Sequence, residues 1–205
     1  MMPYEDIQIQ LVDLPPIANE TTDGWVSGIM RVADALLIVI DLAEDAEVQM
    51  ELLLDQIGRW NIRTEKPRDG EARVLVKRAL AAANKKDLPG AAGNFEKLKA
   101  AFGSRYPMVP LSCLKKDGLE DLKREIFGLA SVIRVYSKPP GKEPDLSMPY
   151  TVPVGSTVMD VAEKVHKDFV TKLKYARVWG SAKFEGMRVE RTHVLKDRDI
   201  IELSM

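Results

Sequence analysis

Arg78-Ala79-Leu80-Ala81-Ala82-Ala83-Asn84-Lys85-Lys86-Asp87 is the stretch on which the fold turns. Alanine is the best intrinsic helix former, so composition alone reads Arg78 to Ala83 as helix. The run is short, however, and stops at the polar group Asn84-Lys85-Lys86-Asp87. A brief apolar run closed by polar residues has the length of a strand buried on both faces. Read so, Asn84 to Asp87 lie on the loop at a strand's C-terminal end, where open α/β sheets bind ligands.

On either side of this stretch the pattern alternates short β-like runs with longer amphipathic ones from Ile7 to Leu129. Ile7 to Val12 alternates with period two before turning apolar, Ala35 to Ile40 is continuously apolar, and Met108 to Leu111 is a shorter strand. Val48, Leu52, Leu53, Ile57 and Trp60 recur at helical spacing, as do Leu119, Leu122, Ile126 and Leu129. Strands alternating with helices predict an α/β domain with a mostly parallel sheet. The charged stretch Asn61 to Arg73, with Pro67 and Gly70, reads as a surface loop.

After Ala130 the texture changes. Ile133 to Tyr136 and Tyr150 to Val154 read as strands around the breaker Pro139-Pro140-Gly141. Thr157 and Asp160 have capping-box spacing, followed by one helical face of Val158, Val161, Ala162, Val165, Phe169 and Leu173. Tyr175 to Trp179 and Asp199 to Leu203 add short strands. The sequence thus divides into residues 1–131 and a small α+β domain over 132–205. The second part carries 13 Lys+Arg against 10 Asp+Glu, a net +3 in a chain whose formal net charge is -1, so it is the basic half.

Composition excludes several classes. Charged residues at 30% and hydrophobic ones at 45% are those of a globular chain. No apolar run approaches the roughly 20 residues that cross a bilayer, and the N-terminus lacks a signal peptide's pattern, so the expected setting is cytoplasmic with no membrane partner. One cysteine, Cys113, and two histidines, His166 and His193, offer no zinc spacing.

The polar loop has a defined chemical reach. A carboxylate at Asp87 can accept two parallel N–H bonds from the N1 and N2 edge of guanine, the Asn84 amide can donate to N7, and Lys85 can lay its stem along the base. Adenine lacks that donor pair, so such a site selects guanine. The alternative is a solvated turn. Ser112-Cys113-Leu114 closes the next strand, where the Cys113 N–H can reach a guanine O6. Asp13, after the first strand, suits Mg²⁺ held through water beside a triphosphate, or equally a turn cap. In the tail, Lys164, Lys167, Lys172, Lys174 and Arg177 are either an RNA-facing surface or a solvated helix face. Tyr175 and Trp179 there can stack on bases or serve as core.

In order, Asp13-Leu14-Pro15-Pro16, Asn84-Lys85-Lys86-Asp87 and Ser112-Cys113-Leu114 resemble the DxxG, NKxD and SAx motifs of P-loop GTPases. Gln8 to Pro15 resembles the Obg and developmentally regulated GTP-binding protein families. The tail, with Ile133 to Tyr136, His166-Lys167, Lys174-Tyr175-Ala176 and Val178-Trp179-Gly180, resembles their C-terminal TGS domain, a β-grasp fold. The resemblance implies a partial, Rossmann-like GTPase domain followed by a TGS domain, GTP or GDP bound with Mg²⁺, and association with the ribosome or RNA. It implies guanine contacts from Asn84, Lys85, Asp87, Ser112 and Cys113, with movement of the segment after Asp13 around Gly24 and Gly28.

Two departures limit those expectations. No GxxxxGKS/T string occurs in the 205 residues, so the family's phosphate-binding part is expected upstream of Met1. Pro16, which has no N–H, stands where the DxxG glycine would sense the γ-phosphate, and Ile17 follows it. The chain alone is therefore expected to bind guanine nucleotide weakly or not at all, and not to hydrolyse it. Two other readings stay open: an RNA- or ribosome-binding module with the GTPase remnant as scaffold, and a sensor whose TGS domain holds a small ligand.

Overall fold

The computed structural model describes residues 1–17, 24–64 and 74–204, which form two compact units. Leu11–Ala130 make one; Met1–Gln10 and Ser131–Met205 make the other.

The first unit is built on three parallel strands, β3 (Ala35–Asp41), β6 (Arg78–Asn84) and β7 (Met108–Pro110), in the order β3-β6-β7. The alanine-rich run is thus the central strand. Leu80, Ala81, Ala82 and Ala83 are all buried, and tertiary packing overrides intrinsic helix preference. Leu36, Ile38 and Ile40 share a face with Ala79 and Ala83 and form one core with α1 (Gly24–Val32), α2 (Ala46–Arg59) and α3 (Ala91–Phe102). Helix α4 (Leu119–Ala130) packs on the sheet, chiefly on β6.

Several expectations are corrected here. Ala35 to Ile40 is not buried on both faces: Val39 is 60% exposed, because β3 is the edge of the described sheet and α4 lies over β6. Helix α2 points Ala46, Met50 and Ile57 inward, while Val48 and Leu52 face solvent. Asp45 caps this helix through Val48 N–H at 3.1 Å. Gly24 and Gly28 lie within helix α1 rather than in a hinge. Between α2 and β6, Ile62–Arg63 (β4) pair in parallel with Leu75–Val76 (β5); residues 65–73 of the expected loop lie outside the described residues.

The largest correction concerns Ile7 to Val12. Ile7–Ile9 form β2, an antiparallel hairpin with β1 (Met2–Tyr4) turning through Glu5 at φ 49°, and do not enter the parallel sheet. Period-two alternation marks a half-buried strand but not its partner. Asp13 consequently follows a hairpin and lies in irregular, exposed chain.

The second unit is a five-stranded mixed sheet in the order β11-β10-β12-β8-β9, from β8 (Val132–Ser137), β9 (Tyr150–Pro153), β10 (Tyr175–Trp179), β11 (Met187–Val189) and β12 (Asp199–Ser204). β12 and β8 run parallel and the other neighbours antiparallel. The capping box forms as expected and starts α5 (Val158–Val165). The expected single helix then breaks. His166 is extended and its Nδ1 accepts from Asp168 N–H at 3.1 Å, starting a separate turn, α6 (Asp168–Lys172). Leu173 is thereby buried in a core with Val158, Val161, Ala162, Ala176, Val178 and Ile201.

The hairpin turn is pinned into this unit by charge. Arg134, whose side chain is only 4% exposed, holds Asp197 at 2.7 Å, Asp6 at 2.9 Å and Glu5, while Tyr136 donates to Asp6 and Arg198 reaches Glu5 at 2.7 Å.

Candidate functional site

The C-terminal ends of β3, β6 and β7 carry the polar residues on which a functional reading rests. Parallel register sets Asp41 beside Asn84, and Leu111 N–H donates to Ala83 O at 2.8 Å, so the loop after β7 is tied to the end of β6. Lys86 N–H in turn donates to Leu111 O at 3.0 Å.

Side chains then lock the two loops together. The Cys113 N–H donates to Asn84 Oδ1 at 3.1 Å, leaving the Asn84 NH₂ group without a hydrogen bond among the described residues. Ser112, 1% exposed, accepts from Lys115 N–H at 3.0 Å and donates to the Asp87 carboxylate. That hydroxyl, ahead of the opposing cost of burial, holds the Asp87 carboxyl below its ordinary range, so it is ionised at neutral pH. Ser112 and Asp117 exchange backbone bonds at 2.9 and 3.1 Å, and Lys86 pairs with Asp117 at 2.8 Å. Gly118 closes this turn at φ 79°, where an added Cβ would stand 2.7 Å from Pro110 O. Only glycine fits both the conformation and the space.

Lys85 also adopts a left-handed backbone, φ 67°, and its ammonium is held by the Asp41 carboxylate. Burial pushes the Asp41 carboxyl up, but the Lys85 and Ala43 hydrogen bonds outweigh it and the net direction is down; the Lys85 amine is correspondingly raised.

Five of the sequence-predicted residues, Asn84, Lys85, Asp87, Ser112 and Cys113, therefore lie on two interlocked loops. The Cys113 N–H points to Asn84, not outward. Asp41 and Asp117 escaped sequence reasoning. Asp41 had one usable signal, since like Asn84 it ends an apolar strand.

Asp13 stands apart. It is exposed and makes no hydrogen bond or ion pair among the described residues, and no group of three or more His, Cys, Asp or Glu there could hold a metal ion. A single carboxylate does not build a magnesium site without phosphate oxygens, so the residues present do not fit the ion by themselves. The five tail cations are likewise divided. Lys164 donates to Thr151 O, Lys172 pairs with Asp168 at 3.0 Å, Lys167 precedes α6, Lys174 follows it, and Arg177 is on strand β10. No helix among the described residues is long and apolar enough to cross a membrane.

Residues 133–205 match the TGS domain family. The "Uncharacterized GTP-binding protein MJ1326" of Methanocaldococcus jannaschii is 46% identical over 103 residues, half of this chain and 26% of that protein. "Developmentally-regulated G-protein 2" of Arabidopsis thaliana is 25% identical over 262 aligned positions, covering 98% of this chain and 65% of that protein. The chain thus spans only part of each relative's length. The Schizosaccharomyces pombe YchF GTPase structure superposes with a TM-score of 0.66 over 91% of this chain and 77% of that one; at 12% identity it speaks to fold alone. Residues 133–205 thus carry a TGS domain, and the chain as a whole is similar to developmentally regulated GTP-binding proteins and shares its fold with a GTPase.

Proposed function

We propose that the loops after β6 and β7 form the base-recognising half of a guanine-nucleotide site. One observation carries the reading: Asn84 Oδ1 holds Cys113 N–H while Ser112 holds Asp87, leaving on adjoining loops an NH₂ group with no partner among the described residues and an ionised carboxylate. These suit N7 and the N1/N2 edge of guanine respectively, and Lys85, fixed by Asp41, flanks them. The 205 residues contain no Gly-rich phosphate loop, so base contacts act here without phosphate contacts and affinity is low. Mg²⁺ enters only with the phosphates, and hydrolysis belongs to a protein that also holds the triphosphate. The setting is cytoplasmic.

A fluorescent GDP titration of the chain tests this. GDP binds in preference to ADP. Asp87→Asn, which replaces an acceptor by a donor, weakens GDP at least about tenfold and improves xanthine nucleotides relative to it, because xanthine carries an oxygen where guanine carries N2. Equal binding of GDP and ADP by the unsubstituted chain overturns the reading.

A second reading adds RNA or ribosome association through the TGS unit. Lys167 and Lys174 make no ion pair among the described residues, and Arg177 is exposed, so cationic groups are left for a polyanion. If the Asp87 site proves silent, this association remains the function and the first unit serves as scaffold.

A further inference from the structure

We propose that the outer face of β10 and β11 is a docking surface for single-stranded RNA; this rests on the reading that the TGS unit associates with RNA and gives that association a place. Ala176 and Val178 are in the core, so the strand's alternation puts Tyr175, Arg177 and Trp179 on the opposite face. Antiparallel register sets Arg188 directly across from Arg177. Like charges facing each other in a ladder destabilise it. Neither guanidinium has a carboxylate within ion-pair reach among the described residues. Glu202, on the other side of Arg177, is shared with Lys138 at 3.5 Å. Three cations thus face one carboxylate, and a phosphate backbone supplies the missing charge.

Aromatic groups make the surface more than a basic patch. The Arg188 guanidinium lies 4.2 Å from the Tyr175 ring centroid, which orders its donor edge for bidentate contact with phosphate. Phe184, in the loop joining β10 to β11, is 66% exposed beside Lys183. An exposed ring next to cations suits an unstacked base, which single strands offer and duplexes do not. Trp179 is a wall rather than a platform. Lys138 sits 5.3 Å from its ring, and a Cβ at Gly186 would come within 3.0 Å of the indole.

The test is fluorescence anisotropy of labelled oligouridine with the full chain across a salt series. Arg177→Ala with Arg188→Ala weakens binding at least about tenfold and flattens the log–log salt slope by roughly 1.4, two single-strand phosphate contacts. Phe184→Ala weakens it by about fivefold or more with the slope unchanged. Hydrogen-exchange protection of β10 confirms that the sheet persists, and Arg177→Lys with Arg188→Lys retains the salt slope. The surface is overturned if the double alanine variant binds as the unsubstituted chain does, if duplex RNA competes as well as the single strand, or if polyglutamate does. Failure of the unsubstituted chain to bind RNA at low salt overturns the underlying association as well. Loss on Lys167→Ala with Lys174→Ala alone leaves the association standing and removes this surface.

Discussion

Two polar clusters in this chain handle their charge in opposite ways. Around Arg134, a side chain only 4% exposed has its guanidinium matched by Asp197 at one edge and by Asp6 and Glu5 together at Nη1. Around Asn84, polar groups lock two loops yet leave an NH₂ group and an exposed carboxylate over. Matched charge holds structure, whereas surplus polar capacity held in fixed geometry is what recognition requires.

The difference is broken most severely at Arg134. Its replacement by Ala leaves three carboxylates with only Arg198, at Glu5, for a guanidinium, and removing one partner of a buried ion pair costs about 3–5 kcal/mol. The lower end applies here because the carboxylates reach solvent. Urea unfolding followed by exchange of the β8 and β12 amides reads the loss in the second unit, and a change under about 1 kcal/mol would mean that the cluster is ornamental. The same cluster sets a pH signature. Burial pushes the Asp6 and Asp197 carboxyls up, but hydrogen bonds, from Tyr136 and Arg134 in one case and Arg134 in the other, outweigh it and hold both below their ordinary range. Glu5 is held low by Arg134 first and Arg198 second. Their contribution is complete above the unfolded carboxylate range, about pH 4–4.5, and is lost as pH falls through the lower folded values. Arg134→Ala weakens that acid dependence, most at Asp197, because Tyr136 still holds Asp6 and Arg198 still holds Glu5.

A middle-sized effect is expected where geometry rather than charge holds the loops proposed to recognise the base. Gly118→Ala forces a side chain into φ 79° and against Pro110 O, a strain of about 1–3 kcal/mol. The Ser112–Asp117 turn then loosens, so guanine binding falls together with the stability of the first unit, measured by GDP titration and urea melting on the same sample. Lost stability with intact GDP selectivity would show that the turn supports the fold and not the site.

Legibility in the sequence depends on the range over which each feature is determined. The central strand is readable because the polar group immediately after Ala83 contradicts its helix propensity, and the Thr157–Asp160 capping box because both partners are local. The five loop residues are readable from short motifs. The features that escape depend on partners distant in sequence. Ile7–Ile9 alternates like a sheet strand but pairs with Met2–Tyr4. Val39 looks buried until helix α4 is placed over β6. Arg188 acquires meaning only once register sets it opposite Arg177. The break at His166 is hidden for another reason: the apolar spacing continues through Phe169 and Leu173 although the backbone does not.

The smallest effect separates the clusters most finely. Lys85 and Asp41 form an ion pair in the proposed base-binding region, as Arg134 and Asp197 do in the other unit, but the Lys85 side chain is 48% exposed. Water already solvates such a cation, so removing its partner strands no buried charge. Asp41→Asn should therefore leave the urea midpoint of the first unit unchanged within error, in contrast to Arg134→Ala. It does release Lys85, whose left-handed backbone aims the side chain and whose ammonium only Asp41 fixes among the described residues. If Lys85 flanks the base by its stem, GDP affinity falls by about twofold while the preference over ADP, set by Asp87, is kept. A fall as large as that of Asp87→Asn would instead make the Asp41–Lys85 pair part of recognition itself, and a shifted urea midpoint would place it with the matched charges.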